Sequence, residues 1–258
     1  SKLALASPLV LSAKAGKNLK AEDACGYAAL KNAALPAILV KDIKEVSKKI
    51  AALTELFAVP VVDAELNAKL PALNKSADAK MVLSALENVI ELGANSYPEV
   101  KTVLGRVGGI AVAAIVFDHT LLNANNMKKI RAFCELACCY GLPLVTFVDC
   151  LGIEPSLSVN DSTVLKEIGE YLSILDATDT AKVAVVTGSA VGIGYSLFAA
   201  KSVGFDYTYA LATAKISLTE GDEDTDPVNA AKCGYLDNVI EPQFLKQYLI
   251  ASLQMLIK

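Results

Sequence analysis

The stretch that most constrains the fold runs from Lys182 to Gly204 and reads KVAVVTGSAVGIGYSLFAAKSVG. Residues Val183–Val186 are apolar and mostly β-branched, which is typical of a parallel strand covered on both faces. Gly188, Gly192 and Gly194 then mark a tight turn, and a helical pattern follows. Because the first amides of a helix have no intrahelical acceptor, the turn predicts exposed backbone N–H groups that suit a negatively charged group.

Two kinds of anion fit such a turn, and each implies a different protein. The segment TGSAVGIG resembles the TGxxxGxG turn with which short-chain dehydrogenases bind a dinucleotide pyrophosphate. The alternative is a developing oxyanion held by two main-chain amides, as in crotonase-like folds. A strand-to-helix turn without any ligand is the third interpretation.

The position of the turn and the tyrosines after it argue against a dehydrogenase that binds NAD(P). Only about a quarter of the 258 residues follow the turn, whereas a short-chain dehydrogenase carries it at the start of its domain. Such an enzyme also needs a Tyr-xxx-Lys pair, in which the lysine lowers the pKa of the tyrosine. No tyrosine after the turn has a lysine four residues later; these are Tyr195, Tyr207, Tyr209, Tyr235 and Tyr248.

Composition indicates a globular chain with a substantial core. Hydrophobic residues make up 53% and charged residues 20%, and the net charge of -4 without a basic cluster argues against nucleic acid as a partner. Polar residues interrupt every apolar run before it reaches transmembrane length, and we expect no membrane insertion. We read the apolar patch around Pro8 as a first strand or loop and not as a signal peptide. These features predict one cytoplasmic domain over residues 1–258.

Apolar patterns alternate between strand and helix along the chain, which predicts crossover connections and a largely parallel sheet. Asp42 is expected to cap a helix whose apolar face, spaced by three and four residues, packs on a core; its members are Ile43, Val46, Ile50, Leu53 and Phe57. The other predicted helices are Met127–Tyr140, Val164–Leu175 and Gln243–Ile257. The predicted strands are a patch within Ser7–Asp23, the AILV segment 37–40, Val103–Val107, Ile110–Phe117, Leu144–Val148, Tyr207–Ala212 and Lys215–Leu218. Residues 59–80 and 154–162 are expected to be irregular connections.

The six cysteines do not form a disulfide framework and indicate reduced thiols. Cys134, Cys138 and Cys139 fall on one predicted helix, and the first two have the i, i+4 spacing of a metal-ligand pair. The chain holds a single histidine, His119, and zinc usually takes four such ligands. We therefore favour small buried thiols and expect no metal.

An ordered set of motifs covers nearly the whole chain. It comprises GRVGG before the strand IAVAAIVF, a helix containing RAFC, the strand PLVTFVD before Gly152, then KVAVVTGSAVGIGY, FDYTYALATAKISL and AAKCGYLDNVIEP. This order resembles the second lobe of the carboxyltransferase subunit of biotin-dependent acyl-CoA carboxylases and decarboxylases. The segment SPLVLSAKAGKNLKAEDACGYAAL is similar to the end of that family's first lobe.

The resemblance implies an α/β fold of the crotonase/ClpP type, a superhelix of ββα units. The two amides that hold the biotin ureido oxygen would belong to Ile193 and Gly194, and main-chain donors of this kind need no particular side chain. Gly152 would line the same pocket. The other residues implied at the substrate and biotin side are Gly192, Tyr195 and Ser196.

The resemblance also implies partners. The cofactor would be biotin, carried on a separate carrier protein, and an acyl-CoA would exchange its carboxyl group with it. The chain corresponds to about half of a usual subunit, so a first-lobe carboxyltransferase chain is a further expected partner, and we expect a homo-oligomer. Three interpretations stay open: half of a split subunit, a piece of a longer protein, or a non-catalytic lobe kept for assembly.

This sequence departs from the family pattern at several positions. Ile193 stands where the family usually has glycine, and Ser196 where an acidic residue is common. The loop after Gly152 lacks the family's run of glycine, histidine and arginine. The acidic segment TEGDEDTDPVN replaces a longer insertion and is interpreted as a solvated loop and not as a metal site. His119, Asp149 and Tyr195 could act as acids or bases, but we favour structural roles at strand ends and turns.

Overall fold

The computed structural model describes residues 7–21, 34–40, 42–58, 78–155, 162–219, 221–222 and 224–257. The helices are α1 Pro8–Ala15, α2 Ile43–Ala58, α3 Ala79–Val82, α4 Ala124–Cys139, α5 Ser162–Asp176, α6 Ile193–Phe198, α7 Pro227–Lys232 and α8 Leu245–Leu256. The strands are β1 Glu87–Leu92, β2 Val100–Val107, β3 Ile110–Phe117, β4 Thr120–Leu122, β5 Leu144–Ile153, β6 Lys182–Val191, β7 Tyr207–Leu211, β8 Lys215–Ser217 and β9 Asn238–Ile240.

The strands form a nine-stranded mixed sheet in the order β1-β2-β3-β5-β6-β7-β9. The first three strands are antiparallel neighbours, and β2 joins β3 through a two-residue turn at Gly108 and Gly109, both with positive φ. From β3 onward every pairing is parallel. Helical crossovers through α4 and α5 link these parallel strands, as the alternation of strand and helix patterns predicts, and they form the ββα units that the family resemblance implies.

Strands β5 and β6 continue beyond this main sheet. Their carboxyl ends pair with β4 and β8, which gives a small parallel extension in the order β4-β5-β6-β8. The register shifts where the extension begins, because three residues of β6, 187–189, face the single residue Asp149 of β5. This shift is a β-bulge, at which the strand-to-strand hydrogen bonds are interrupted. Asp149 Oδ1 accepts a hydrogen bond from the Ser189 amide at 2.8 Å and so takes the place of a backbone acceptor.

Helices cover both faces of the sheet. Leu144, Val148 and Cys150 of β5 belong to a core shared with α4, α5 and α6, whereas Val145 and Phe147 face a second core shared with α3 and α8. This alternation follows from the two-residue period of a strand, and burial on both faces explains the nearly continuous apolar runs. The two-sided burial predicted for Val183–Val186 is therefore confirmed, and the predicted strand Ile110–Phe117 is buried in the same way.

Several predicted elements differ from the structure. The patch after Ser7 is helix α1 and not a strand, because Ser7 caps it by accepting from the Leu9 amide and Pro8 occupies its first position. Residues 37–40 form no strand. Strand β4 follows β3 at a place where the sequence patterns predict no strand, and the acidic segment before Ala230 leads into α7. Most of the two expected irregular connections lies outside the described residues, namely residues 59–77 and 156–161. Residues 22–33 also lie outside them.

Helix α2 begins as predicted but presents a different face to the core. Asp42 caps it, since its Oδ1 accepts from the Glu45 amide at 2.8 Å. Arg106 of β2 anchors the other end, where its Nη2 donates to the carbonyls of Glu55 and Leu56. Leu56 is buried, yet three of the apolar residues predicted to face the core are exposed: Ile43 (76%), Ile50 (58%) and Phe57 (42%). The predicted apolar face is wrong in this respect.

No helix among the described residues combines the length and the apolar composition needed to cross a membrane.

Candidate active site

The candidate site is the turn between β6 and α6. Strand β6 ends at Val191, Gly192 has φ 51°, and α6 begins at Ile193. The Gly192 amide donates to the Ser217 carbonyl of β8 at 2.8 Å, and the Gly192 carbonyl accepts from the Ser196 amide at 3.1 Å. The positive φ at Gly192 is open to glycine and strained for other residues, which explains this glycine physically.

The predicted donor amides lie at the start of α6. Ile193 and Gly194 occupy its first two positions, where no intrahelical acceptor exists. Within the part of the chain that the structure describes, neither amide has a hydrogen-bond acceptor. Two adjacent main-chain donors are therefore available to an oxygen that gains negative charge.

Close packing against β5 fixes the second of these amides. A Cβ added at Gly194 would lie 2.8 Å from Cys150 Sγ and 3.0 Å from the Cys150 carbonyl oxygen. Only glycine therefore allows α6 to approach β5 this closely. Sequence reasoning did not identify Cys150, and no motif marks it, because the contact joins residues 44 positions apart.

Cys150 also links the turn to Gly152. Its thiol lies 3.9 Å from the Gly152 carbonyl, and Gly152 is buried with φ 104°. Burial raises the pKa of the Cys150 thiol to about 12, so it acts as a packing group and not as a nucleophile. The structure thus brings Gly152 and Gly194 close to the thiol of one buried cysteine.

The side chains of the other predicted site residues make internal contacts. Tyr195 is buried, and its hydroxyl donates to the Tyr235 carbonyl at 2.7 Å. Burial raises the pKa of Tyr195 to about 12, which favours a structural role over acid or base chemistry. Ser196 is exposed and donates its hydroxyl to the Gly192 carbonyl at 3.1 Å. The Ile193 side chain is half-buried and packs on the core.

Asp149 and His119 lie together at the bulge between β5 and β6. Besides binding the Ser189 amide, Asp149 accepts from the His119 amide at 3.2 Å, and His119 Nδ1 lies 3.6 Å from Asp149 Oδ1. A Cβ added at Gly188 would lie 2.4 Å from Asp149 Cγ, so the carboxylate rests directly on that glycine. Both Asp149 oxygens serve main-chain amides, which supports the structural interpretation of this residue.

A small acidic cavity adjoins the turn. Its volume is about 120 Å³, and its walls include Leu218, Tyr235 and the side chains of Asp222, Asp224 and Asp226. The Leu218 carbonyl lies 3.8 Å from where a Gly192 Cβ would be, so the cavity begins beside α6. Each carboxylate accepts at least one hydrogen bond from a neighbouring backbone or side-chain group.

Among the described residues, no group of three or more His, Cys, Asp or Glu side chains is arranged to hold a metal ion. Cys134 is buried, as expected for a core thiol, and Cys138 is half-buried. Cys139 is exposed, so the expectation of a buried thiol is wrong at that position.

The ββα units, the parallel core and the amide-bearing turn after β6 define a crotonase-like fold. Solved structures agree: transcarboxylase 12S, with hydrolysed methylmalonyl-coenzyme A bound, superposes with a TM-score of 0.84 at 20% identity, over 98% of this chain and 58% of that one. A single-chain, multi-domain long-chain acyl-CoA carboxylase gives a TM-score of 0.76 at 15% identity, over 97% of this chain and 29% of that one.

The amino-acid sequence identifies the family. The chain belongs to the carboxyl transferase domain family, whose profile matches residues 44–224. This agrees with the resemblance found in the motifs and not with a dehydrogenase.

The curated relatives that the chain matches are longer than the chain. It is 24% identical over 235 residues to a biotin-dependent acetyl-/propionyl-coenzyme A carboxylase beta5 subunit of Mycobacterium tuberculosis, covering 75% of this chain and 43% of the relative. It is 26% identical over 229 residues to the methylmalonyl-CoA decarboxylase subunit alpha of Veillonella parvula, covering 75% and 44%. The chain therefore spans less than half the length of these relatives.

Proposed function

We propose that this chain is the biotin-side lobe of an acyl-CoA carboxyltransferase, which moves a carboxyl group between carboxybiotin and an acyl-CoA enolate. The observation that carries the proposal is the pair of unpaired amides of Ile193 and Gly194 in a member of the carboxyl transferase domain family. Biotin, carried on a partner protein, supplies or accepts the carboxyl group.

The two amides would donate to the ureido oxygen of biotin as negative charge develops on it. Both are fixed before charge appears, since Gly194 is packed on Cys150 and Gly192 is tied to β8. Fixed donors need no reorganisation during the reaction, and removing one such donor typically costs a factor of 10² to 10³ in kcat. No side-chain acid or base is needed for this role.

The acidic cavity beside Gly192 supports the assignment of this lobe to the biotin side. Coenzyme A carries several phosphates, and carboxylates at the cavity wall would repel them. Biotin carries no phosphate, and carboxybiotin bears a single carboxylate, so the repulsion is weaker for biotin than for coenzyme A. The ureido ring of biotin would lie against the glycine backbone of the turn, with Gly152 on the neighbouring strand.

The proposed partners follow from this assignment. They are a biotin carrier protein, an acyl-CoA, and a first-lobe carboxyltransferase chain that completes the site, since this chain spans 43% of the Mycobacterium tuberculosis relative. We also propose a homo-oligomer and one domain over residues 1–258.

The test is a substitution that removes one backbone N–H group and changes the helix little. Ile193 is the first residue of α6, a position where proline fits because its missing N–H would have no intrahelical acceptor. The preceding glycine has ψ -113°, away from the helical region that proline disfavours before it. Gly194→Pro is a poorer choice, because added atoms would strike Cys150.

The assay measures transfer of labelled carboxyl from a biotinylated carrier to propionyl-CoA, with a first-lobe chain present. We expect Ile193→Pro to lower kcat by roughly 10²-fold or more, because one oxyanion donor is lost. Ile193→Ala is the matched control, since it removes the same side chain and keeps the amide. Equal activities in the two variants would refute the proposed role of the amide.

A non-catalytic assembly lobe is the second candidate function. Ile193 in place of the usual glycine favours it, because the half-buried side chain stands at the donor position. Binding of the first-lobe chain without any carboxyl transfer by the wild-type protein would support this candidate over the first.

A further inference from the structure

Three buried hydroxyl groups from three different elements bind consecutive main-chain carbonyls at the carboxyl end of α6. The distances from hydroxyl to carbonyl oxygen are 2.6 Å for Thr146 to Phe198, 2.6 Å for Thr208 to Ala199 and 3.1 Å for Tyr171 to Leu197. The donors belong to β5, β7 and α5, and each is 0% exposed. The last carbonyls of a helix have no intrahelical donor, so these hydroxyls take the place of the missing amides.

The two threonines lie in one row across the sheet. In the register of the parallel strands, Ala184 of β6 pairs with Thr146 of β5 on one side and with Thr208 of β7 on the other. Side chains in one such row point to the same face of the sheet, and Ala184 belongs to the core on the α6 side. The small methyl group of Ala184 between the two hydroxyls leaves room for the end of α6 to approach the sheet.

The same face of β5 also meets the amino end of α6. Thr146 and Cys150 are four residues apart on this strand, so their side chains point to the same side. Cys150 packs on Gly194 at the start of the helix, whereas Thr146 binds the Phe198 carbonyl at its end. One strand therefore holds both ends of α6 and sets the direction of the helix axis.

Helix α6 depends on these contacts because it is short. It has six residues, or about one and a half turns, which is far fewer than an isolated helix needs in water. Within the described residues, no side chain caps its amino end. The strength of a hydrogen bond depends on the direction of the N–H group. A small rotation of α6 would therefore turn the amides of Ile193 and Gly194 away from a bound oxygen.

We propose that the three hydroxyls are positioning groups for carboxyl transfer, which act through α6 on the direction of its two free amides. This inference rests on the proposed function, because it serves the amides assigned there to the ureido oxygen of biotin. The hydroxyls lie at the other end of α6 from those amides, so they are not catalytic residues. Burial raises the pKa of Tyr171 well above its ordinary value, which keeps its hydroxyl protonated as a donor.

The test compares variants of the full chain that lose one hydroxyl and keep the shape of the side chain. Thr146→Val and Thr208→Val each remove a donor and leave a buried carbonyl unpaired. Thr146→Ser keeps the hydroxyl and should behave like the wild type. Thr102→Val is the matched control, since Thr102 is 1% exposed and donates to the Leu92 carbonyl at 2.7 Å, between β1 and β2. Circular dichroism checks that each variant is folded.

Hydrogen exchange measured by mass spectrometry reports on α6 without any assay of activity. The amides of Ser196, Ala199 and Ala200 donate within the helix and its last turn, so their exchange rates follow the opening of α6. We expect both α6-directed valine variants to raise these rates roughly tenfold, as one lost hydrogen bond to a buried carbonyl should. Thr146→Ser and Thr102→Val should leave the rates unchanged.

The carboxyl-transfer assay, with a first-lobe chain present, then measures kcat and the KM for the biotinylated carrier. We expect kcat of Thr146→Val and of Thr208→Val to fall about tenfold or more, because displaced donors lose their contact with the charge that develops in the transition state. The KM should stay near the wild-type value, since the amides act on a charge that is absent from the bound ground state. Thr146→Ser should restore kcat, and Thr102→Val should keep it.

Wild-type exchange rates and kcat in both α6-directed valine variants would overturn the inference. An equal loss of kcat in Thr102→Val would also overturn it, because the hydroxyls would then only stabilise the fold. Failure of the proposed function has a different signature. Ile193→Pro and Ile193→Ala would then transfer carboxyl equally well, and faster exchange in the valine variants would still support the hold of the hydroxyls on α6.

Discussion

At the scale of single residues, close packing explains more of the candidate site than charge does. Gly194 is surrounded by Cys150, and Gly188 by the carboxylate of Asp149, so each glycine is required by the atoms beside it. The glycine-rich turn can be predicted from the sequence, because a strand followed by closely spaced glycines is a local pattern. The sequence does not predict Cys150 or the carboxylate over Gly188, because those contacts depend on the register between β5 and β6.

The packing at Gly194 gives a direct prediction. Gly194→Ala puts a methyl group 2.8 Å from Cys150 Sγ, and overpacking of this kind costs about 1–3 kcal/mol. Gly169→Ala in α5 is the control, because nothing lies within 4 Å of its added Cβ and alanine is the better helix former there. Urea unfolding should show a lower free energy of unfolding for Gly194→Ala and an unchanged or higher one for Gly169→Ala. A Gly194→Ala protein as stable as the wild type would contradict the contact.

At the scale of elements, a buried lysine joins α4 to the turn between β1 and β2. Lys129 Nζ donates to the carbonyls of Ser96 and Val100, both at 2.6 Å, and to that of Tyr97 at 3.3 Å. Burial lowers the pKa of Lys129 to about 8, and Glu91 and Glu99 partly oppose this shift. This lysine could not be predicted from the sequence, because a buried and an exposed lysine on a helix differ only in the distant turn that covers the buried one.

The lowered pKa of Lys129 makes stability depend on pH. The unfolded chain protonates this amine up to about pH 10.4, so between about pH 8 and about pH 10.4 it binds more protons than the folded chain. The free energy of unfolding therefore gains from Lys129 as pH rises through this window, and the contribution is constant below it. Relative to Lys129→Met, which does not titrate, the wild type should gain on the order of 1 kcal/mol between about pH 7.5 and about pH 9.5. Parallel profiles for the two proteins would contradict the shift.

Elements were predicted better than the faces they present. Local patterns in the sequence correctly predicted helices α2 and α4. They also predicted the strands Ile110–Phe117 and Leu144–Val148. The face that α2 presents to the core was not predicted correctly. Arg106 binds the last turn of α2, so Leu56 faces inward in place of Ile50. Helix α1 was mistaken for a strand because its apolar run PLVL is too short for its period to distinguish the two.

At the scale of the whole molecule, the order of motifs identified the family while each motif alone did not. The turn TGSAVGIG fits a dehydrogenase as well as a carboxyltransferase, and its late position in the chain is what separates them. The mixed sheet and its extension by β4 and β8 could not be derived from periodicity, because both depend on pairings between strands distant in sequence.

The cysteines offer a test of whether the described core unfolds as one unit. Cys134 on α4 and Cys150 on β5 are buried in the same hydrophobic core, and burial raises the pKa of both thiols. Cys139 and Cys233 are exposed. Alkylation mapped by mass spectrometry should therefore modify Cys139 and Cys233 in the native protein, because only an accessible thiolate reacts.

The two buried thiols should behave differently from these surface thiols but like each other. If α4 and β5 open only when the whole core unfolds, Cys134 and Cys150 will be alkylated at equal rates at each urea concentration, and both rates will rise with the unfolded fraction. Faster labelling of Cys150 would instead mean that the β5 extension and α6 open before the rest. The amides of Ile193 and Gly194 would then not be held rigidly, and the case for a preorganised oxyanion site would weaken with them.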